Sequence, residues 1–350
     1  MNDDVSDCPW IVGEVAISGV AFPRVSTRLN RADILGSFRA RWSSARMNYA
    51  VEPGLYAVGR PTADSPVLVS ANYKMSFDRL RKSLSGLDLW ILVIATNGIN
   101  VWCAAGKGTF GTEELVGRIA QVGLGAVVRG RDLILPQLGA PGVAAQEVLR
   151  RSGFNVVYGP ARAVDIPEFL RAGRKATPSM RAVRFNLWDR LVLTPIELVG
   201  VLKPALIILG ILFVITLVRG GFAPFSIILG KTAAGFVPFL GAILAGVFFT
   251  PLMLPVIPGR AFAWKGWLLG LVWTLLYLQF TNPWHEWKTV LLYLLLLPPM
   301  ASFLAMNFTG ASTFTSLSGV VKEMKIALPL QVISAGLGIL VLILILGAAL

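Results

Sequence analysis

The chain has 350 residues and a net charge of +13, with 55% hydrophobic and only 15% charged residues, against roughly 25% charged in soluble proteins. That composition argues against a wholly soluble or disordered chain, and the charges are unevenly placed. Residues 1–196 hold 24 of the 32 Lys+Arg and 16 of the 19 Asp+Glu, leaving 8 and 3 for residues 197–350, so a soluble half precedes a membrane half. Two cysteines, Cys8 and Cys103, and one histidine, His285, leave no disulfide framework and no His-cluster zinc site.

The first twenty residues open acidic and lack a basic stretch followed by a continuous apolar run. They do not read as a secretory signal, which places the front half in the cytoplasm. Residues 1–66 have weak periodicity and many arginines, and read as an extension packing on the domain that follows. From 67 to 175, apolar β-branched runs alternate with helical patterns: 67–70 then 77–84, 89–95 then 113–121, 133–135 then 143–151, 155–158 then 166–172. This βαβαβαβα succession predicts a Rossmann-like α/β domain with a mainly parallel sheet. Ligands of such sheets sit at the carboxyl ends of the strands, here the loops 71–75, 96–111, 136–142 and 159–164.

The connection 96–111 is longer than a connector requires and so builds a site. Within it, Val101–Ala105 is predicted to form a short helical turn that presents Cys103 toward the strand ends, near Lys107. Helix N-termini and nearby cations favour thiolates; an inert buried cysteine is the other reading, and spacing leaves both open. Gly106-Lys-Gly108-Thr-Phe-Gly111 also matches the dinucleotide fingerprint, with Asp132 downstream. That fingerprint wants its first glycine at the strand end, whereas about ten residues separate Ala95 from Gly106. A phosphate-binding P-loop fails outright, because Val101 stands where its first glycine is needed.

A basic linker, 176–197, leads into five apolar runs: 198–218, 232–254, 263–280, 289–306 and 330–350. Spanning a membrane takes about 20 helical residues. The short third and fourth runs carry Trp264, Trp267, Trp284 and Trp287 as interfacial aromatics. Lys/Arg residues crowd the approach to the first run and recur at Arg260, Lys265, Lys322 and Lys325, while the other side has Arg219, Lys231 and Lys288. The expected arrangement is multi-pass in the inner membrane, with the front domain and the 307–329 loop cytoplasmic and the C-terminus on the opposite side. Ionisable residues are almost absent from the runs, which argues against a proton-coupled transporter. No nucleic-acid motif accompanies the basic charge, which is assigned to topology and attraction to anionic membrane lipid.

The segment Asn100-Val-Trp-Cys-Ala-Ala-Gly-Lys107 resembles the cap-helix signature of the mercury-methylating corrinoid (HgcA) family. The front domain of that family is similar to the corrinoid-binding domain of the corrinoid iron-sulfur protein of the acetyl-CoA pathway. Asn307–Met324, Ser70–Lys74 and Leu133–Gly142 fit the same resemblance, which covers about 51–173 and the membrane half. It implies a corrinoid-dependent methyltransferase that passes a cobalt-bound methyl group to thiol-bound Hg(II), forming methylmercury, with Cys103 as the lower axial ligand of a cobalamin-type corrinoid. A thiolate opposite the methyl group raises its carbanion character, which suits a soft electrophile.

On this resemblance the cofactor contacts are Asn100, Val101, Trp102, Cys103, Ala104, Ala105, Gly106, Lys107 and Thr109 of the cap segment, with Asn72, Thr96, Gln137 and Gly139 on the strand-end loops. Trp102 and Phe110 are expected to pack against the ring or the core. The alternative cobalt ligand, a histidine in an Asp-x-His-x-x-Gly motif, is absent, since His285 lies between apolar runs. Two cysteines cannot hold an iron–sulfur cluster, so electrons are expected from a ferredoxin-like partner with two 4Fe–4S clusters, and the methyl group from a folate-type donor or its methyltransferase. A one-carbon methyl carrier with a non-mercury acceptor and a corrinoid sensor or uptake protein are the other functions considered.

Overall fold

A computed structural model describes residues 8–17, 19–42, 48–312 and 317–347. The chain divides into two compact units, Met1–Val183 and Arg184–Leu350, and the division falls inside the basic stretch read as a linker.

Unit 1 is built on one seven-stranded sheet in the order β1-β2-β3-β5-β4-β6-β7. The strands are β1 (Ile11–Ile17), β2 (Val20–Val25), β3 (Gly54–Val58), β4 (Val67–Ala71), β5 (Leu89–Ile94), β6 (Asp132–Leu135) and β7 (Asn155–Tyr158). β4 runs parallel to both β5 and β6, and β6 parallel to β7. β1/β2 and β3/β5 are antiparallel, and β2/β3 parallel. The segment 1–66, expected as an extension, therefore supplies three strands of the same sheet.

β4 and β5 are buried along their whole length, as continuous apolar runs covered on both faces must be. Their alternation still shows. Val67, Val69, Trp90, Leu92 and Ile94 join one core with Leu115, Ile119 and Val148, while Leu68, Leu89, Ile91 and Val93 join another with Phe77, Ile166 and Phe169. Helices α4 (Thr112–Gln121), α5 (Leu124–Val127) and α6 (Ala145–Ser152) thus cover one face, and α2 (Lys74–Ser83) and α7 (Ile166–Arg171) the other. The chain leaves β4 for β5 on one side, then crosses to β6 on the other, so the carboxyl ends of β4 and β6 flank a topological switch point.

Helix α1 (Arg31–Trp42) is fastened to α2 by a buried, electrically neutral cluster of four charges. Arg81, fully buried, donates to Asp33 at 2.6 Å and Asp78 at 2.8 Å; Lys74 donates to Asp33 at 2.8 Å and also to Asp78. Asp33 additionally closes a reciprocal cap with Asn30, taking the Asn30 backbone N–H at 2.9 Å while its own N–H donates to the Asn30 side chain at 2.8 Å. Burial pushes the Asp33 carboxyl up, but the bonds from Lys74, Asn30 and Arg81 outweigh it and hold the group below the usual carboxylate range. Beside the cluster, burial and the Asp78 carboxylate push the Tyr49 hydroxyl up to about 12.

Unit 2 is helical: α9 (Leu187–Leu191), α10 (Thr194–Gly220), α11 (Phe225–Leu244), α12 (Thr250–Met253), α13 (Phe262–Thr281), α14 (Trp287–Asn307) and α15 (Leu317–Gly347). Among the described residues, four stretches are long and apolar enough to cross a membrane: Leu187–Gly220, Phe225–Met253, Trp287–Asn307 and Gly319–Gly347. The third expected span is a 20-residue helix, α13, but it is not among the four; Lys265, Gln279 and three tryptophans dilute its apolar content. It is held by contact. A Cβ at Gly266 would meet that of Ala305 at 2.5 Å, and one at Gly270 would meet Ala301 at 2.7 Å, the close approach that a small-xxx-small spacing allows.

The stretch 307–329, expected as an interspan loop, is largely helical. A 3-10 turn covers Phe308–Ala311 and α15 begins at Leu317, while Thr313–Ser316 lie outside the described residues. Its polar, Gly/Ser/Thr-rich composition from 307 to 324 is what reads as a loop. In the structure Glu323 accepts a bond from the backbone N–H of Ala263, near the start of α13, where a helix favours a carboxylate.

Candidate functional site

The site is made by the connection after β5. Ala95 donates its N–H to Glu114 Oε1 at 2.8 Å, and the chain then turns through Asn97 and Gly98, both left-handed at φ 56° and 67°, a conformation that Asn and Gly tolerate. Asn72, just past the end of β4, holds this turn. Its Oδ1 accepts from Thr96 N at 3.0 Å, Thr96 Oγ1 at 2.8 Å and Gly98 N at 3.0 Å.

Helix α3 (Val101–Lys107) follows directly. Asn100 caps it, its side-chain oxygen accepting from the backbone N–H of Cys103 at 2.9 Å. Gly108 ends it in the left-handed conformation at φ 80°, where a glycine carries no Cβ penalty. The N–H groups of Thr109 and Phe110 then fold back onto the carbonyl of Ala104 at 3.0 and 3.1 Å, and the Phe110 ring is fully buried. Seven residues would not hold a helix by propensity alone; two good caps and a buried anchor do.

The two faces of α3 differ. Ala104 and Ala105 are buried, and Val101 packs on the same core. Trp102 and Cys103 are half-exposed, while Gly106 and Lys107 are exposed, and 102, 103, 106 and 107 share the outward side by helical spacing. A Cβ on Gly106 would touch nothing within 4 Å, so Cys103 has a bare backbone surface one turn along the helix. On the inner side α3 contacts β4 and the 3-10 turn Gln137–Gly139 after β6. A Cβ at Gly139 would come within 2.5 Å of the Phe110 ring, and one at Gly142 within 3.0 Å of Ala105 Cα. α3 therefore sits at the switch point between β4 and β6, with its thiol on the open side.

The remaining expected contacts are engaged elsewhere. Asn72 and Thr96 are buried and bonded to each other; Gln137 accepts from Arg181 at 2.8 Å; Gly139 packs on Phe110; the Thr109 hydroxyl lies 3.4 Å from the Ala104 carbonyl. Asn100 is occupied as a cap. The dinucleotide reading fails, because Gly106 lies inside a helix rather than at a strand end and Asp132 is paired with Arg174 at 2.7 Å. Sequence reasoning missed Glu114 and Gly142. The acid three residues into α4 was a usable signal for the first, and the second needed the three-dimensional packing.

Comparison with known proteins follows the same segment. Residues 39–170 match the family described as CO dehydrogenase/acetyl-CoA synthase delta subunit. Subunit gamma of the acetyl-CoA decarbonylase/synthase complex of Methanopyrus kandleri is 31% identical over 131 residues, 37% of this chain and 28% of that one. The gamma subunit of Methanocaldococcus jannaschii is 29% identical over 153 residues, 43% of this chain and 28% of that one. That of Archaeoglobus fulgidus is 25% identical over 166 residues, 45% and 35% of the two chains. The chain thus matches about a third or less of the length of these relatives. The family match lies within unit 1 and includes all of α3.

Proposed function

We propose that unit 1 is a corrinoid-bearing methyl carrier in which the Cys103 thiolate would hold the cobalt, and that the methyl acceptor is thiol-bound Hg(II). The observation that carries the reading is the outward face of α3: a half-exposed thiol, fixed by caps at both ends of its helix, beside a glycine that leaves room for a flat macrocycle. The residues fit the group, since a thiolate is a soft donor and Trp102, Gly106 and Lys107 leave the approach to Cys103 free of branched side chains. When bound, the corrinoid supplies a cobalt-held methyl group whose carbanion character a thiolate partner increases.

The chain's own residues do the positioning. Asn100 sets the first turn of α3 and so the direction of the Cys103 thiol. Asn72 and Thr96 hold the turn that delivers α3 to the sheet edge. Ala105 seats the helix closely against Gly142, and Ala104 is buried in the core beneath it. Lys107 closes the last turn of the same helix, on its outward side with Cys103. With two cysteines in the chain, the reducing electrons come from a separate ferredoxin-like protein and the methyl group from a folate-type donor. Unit 2 anchors the protein in the inner membrane with unit 1 on the cytoplasmic side, as the Lys/Arg distribution directs.

A second acceptor has its own support. The matched relatives are subunits of the acetyl-CoA decarbonylase/synthase complex, which favours a one-carbon carrier whose methyl group goes to a non-mercury acceptor. One experiment separates the two: anaerobic membranes holding the protein and a ferredoxin, given methyl donor, reductant and Hg(II), assayed for methylmercury beside Cys103→Ala. Product from the native chain alone supports the mercury reading. Bound corrinoid with no methylmercury leaves the one-carbon carrier, and equal turnover by Cys103→Ala overturns the thiolate ligand.

A further inference from the structure

One surface of unit 1 is used by neither the core nor the site. Helix α1 turns its small and acidic residues inward: Asp33 and Ala40 are buried, and a Cβ on Gly36 would run into the Tyr49 ring at 2.8 Å. Its large apolar residues face out, with Ile34 61%, Leu35 49%, Phe38 58% and Trp42 47% exposed. At 100° per residue these four fall in a single arc about 100° wide. Arg39, exposed, borders that arc and Arg31, also exposed, falls within it at the head of the helix; Arg41, on the other border, is half-buried and donates to the Ser37 carbonyl at 3.2 Å, while the Phe38 and Trp42 rings are 6.1 Å apart. Elsewhere among the described residues of unit 1, exposed large apolar side chains occur singly, at Val12, Val20, Leu149 and Val164.

Singly exposed apolar residues need no explanation, but a stripe of four with two aromatics marks a surface that something covers. The flanking charge says what. Exposed aromatic and aliphatic residues with arginines among and beside them suit the lipid interface, where arginine stems run along the apolar side and their heads reach lipid phosphates. The chain has a net charge of +13 and, among the described residues, four apolar helices of spanning length. The inner side of α1 is also already fixed by its reciprocal cap and the buried cluster, so the helix is formed before it meets a surface.

We propose that α1 lies in the interface of an anionic lipid leaflet, with Ile34, Leu35, Phe38 and Trp42 among the acyl chains and the exposed Arg31 and Arg39 at the phosphates. This goes beyond the methyl-transfer reading and rests only on unit 2 entering a bilayer. It gives the cofactor unit a membrane contact of its own.

The test uses the full chain in nanodiscs, either pure phosphatidylcholine or phosphatidylcholine with phosphatidylglycerol, carrying a photoreactive phenylalanine at Phe38 or, as control, at Val164. The expected result is a lipid adduct from position 38 in anionic discs and none from position 164. The adduct should fall several-fold in neutral discs and in Arg31→Glu/Arg39→Glu. Leu35→Asp/Trp42→Asp should lower it as far without moving the melting temperature, since both side chains are exposed. A protein that co-elutes with discs but gives no lipid adduct at position 38, or gives one only to a second copy of itself, overturns the inference alone. A protein that fails to co-elute overturns the membrane reading of unit 2 as well.

Discussion

Two polar constructions grow from the residues just after β4, and they use their side chains in opposite ways. The Asp33–Lys74–Asp78–Arg81 cluster turns every charge inward and pairs it. The Asn72–Thr96 clamp and α3 spend their inner polar groups on the backbone and leave Cys103, Gly106 and Lys107 at the surface. Saturated and buried, the first can only support the fold. Held from within and open outside, the second can bind something, so which polar groups stay unspent separates scaffold from site.

That contrast predicts which substitutions break function and which break stability. Cys103→Ala has the largest expected effect: methyl transfer falls at least a hundredfold while the melting temperature of the protein without cofactor stays within about 1 °C, because a half-exposed side chain away from special features contributes little to stability; a large loss of stability would put Cys103 in the scaffold. Arg81→Met should do the reverse, costing about 3–5 kcal/mol by leaving two buried carboxylates to share Lys74 alone, with transfer per folded molecule preserved. Denaturant unfolding and an assay normalised to folded protein check both. Asn72→Ala lies between the two classes, since it strands the N–H groups of Thr96 and Gly98 at about 1–3 kcal/mol each and also frees the turn that carries α3, so stability and corrinoid binding should fall together. Asn100→Ala should cost about 1 kcal/mol as a lost cap, with a larger proportional loss in corrinoid affinity than in stability.

The smallest effect is one of pH. The folded Asp33 carboxyl titrates below its ordinary value of 3.8, so its contribution is complete above that value and lost as pH falls through the lower, folded one. Acid unfolding curves of the native chain and Asp33→Asn should therefore differ most above pH 4 and converge below it. Curves that stay parallel to pH 2 would mean the cluster does not depend on that ionisation.

Much of unit 1 was legible from its sequence because β4, β5, β6 and β7 are short apolar runs with clear helical patterns between them, and that signal is local. β1 and β2 were not legible as strands of the same sheet. β1 has no buried residue, and its place depends on pairing across the sheet edge rather than on periodicity. The start of α3 could be read from Asn100 and its end from Gly108, since caps are local chemistry; the role of Asn72 could not, because its partners are 24 and 26 residues away. In unit 2, hydropathy located five runs, of which the third, α13, is a helix too diluted by polar and aromatic residues to count as a span among the described residues; it placed the opening of α15 in a loop, and it could not see that α13 is held by Gly266 and Gly270 against its neighbour.

The two ends of α3 close on themselves, at Asn100 with Cys103 and at Ala104 with Thr109 and Phe110, and its inward contacts rest mainly on two alanines and a valine. The segment is therefore a cassette. Its four outward positions can be rewritten while the sheet beneath keeps its form, so a related scaffold could acquire a different donor atom, and a different reaction, by exchanging a handful of codons rather than by evolving a new fold.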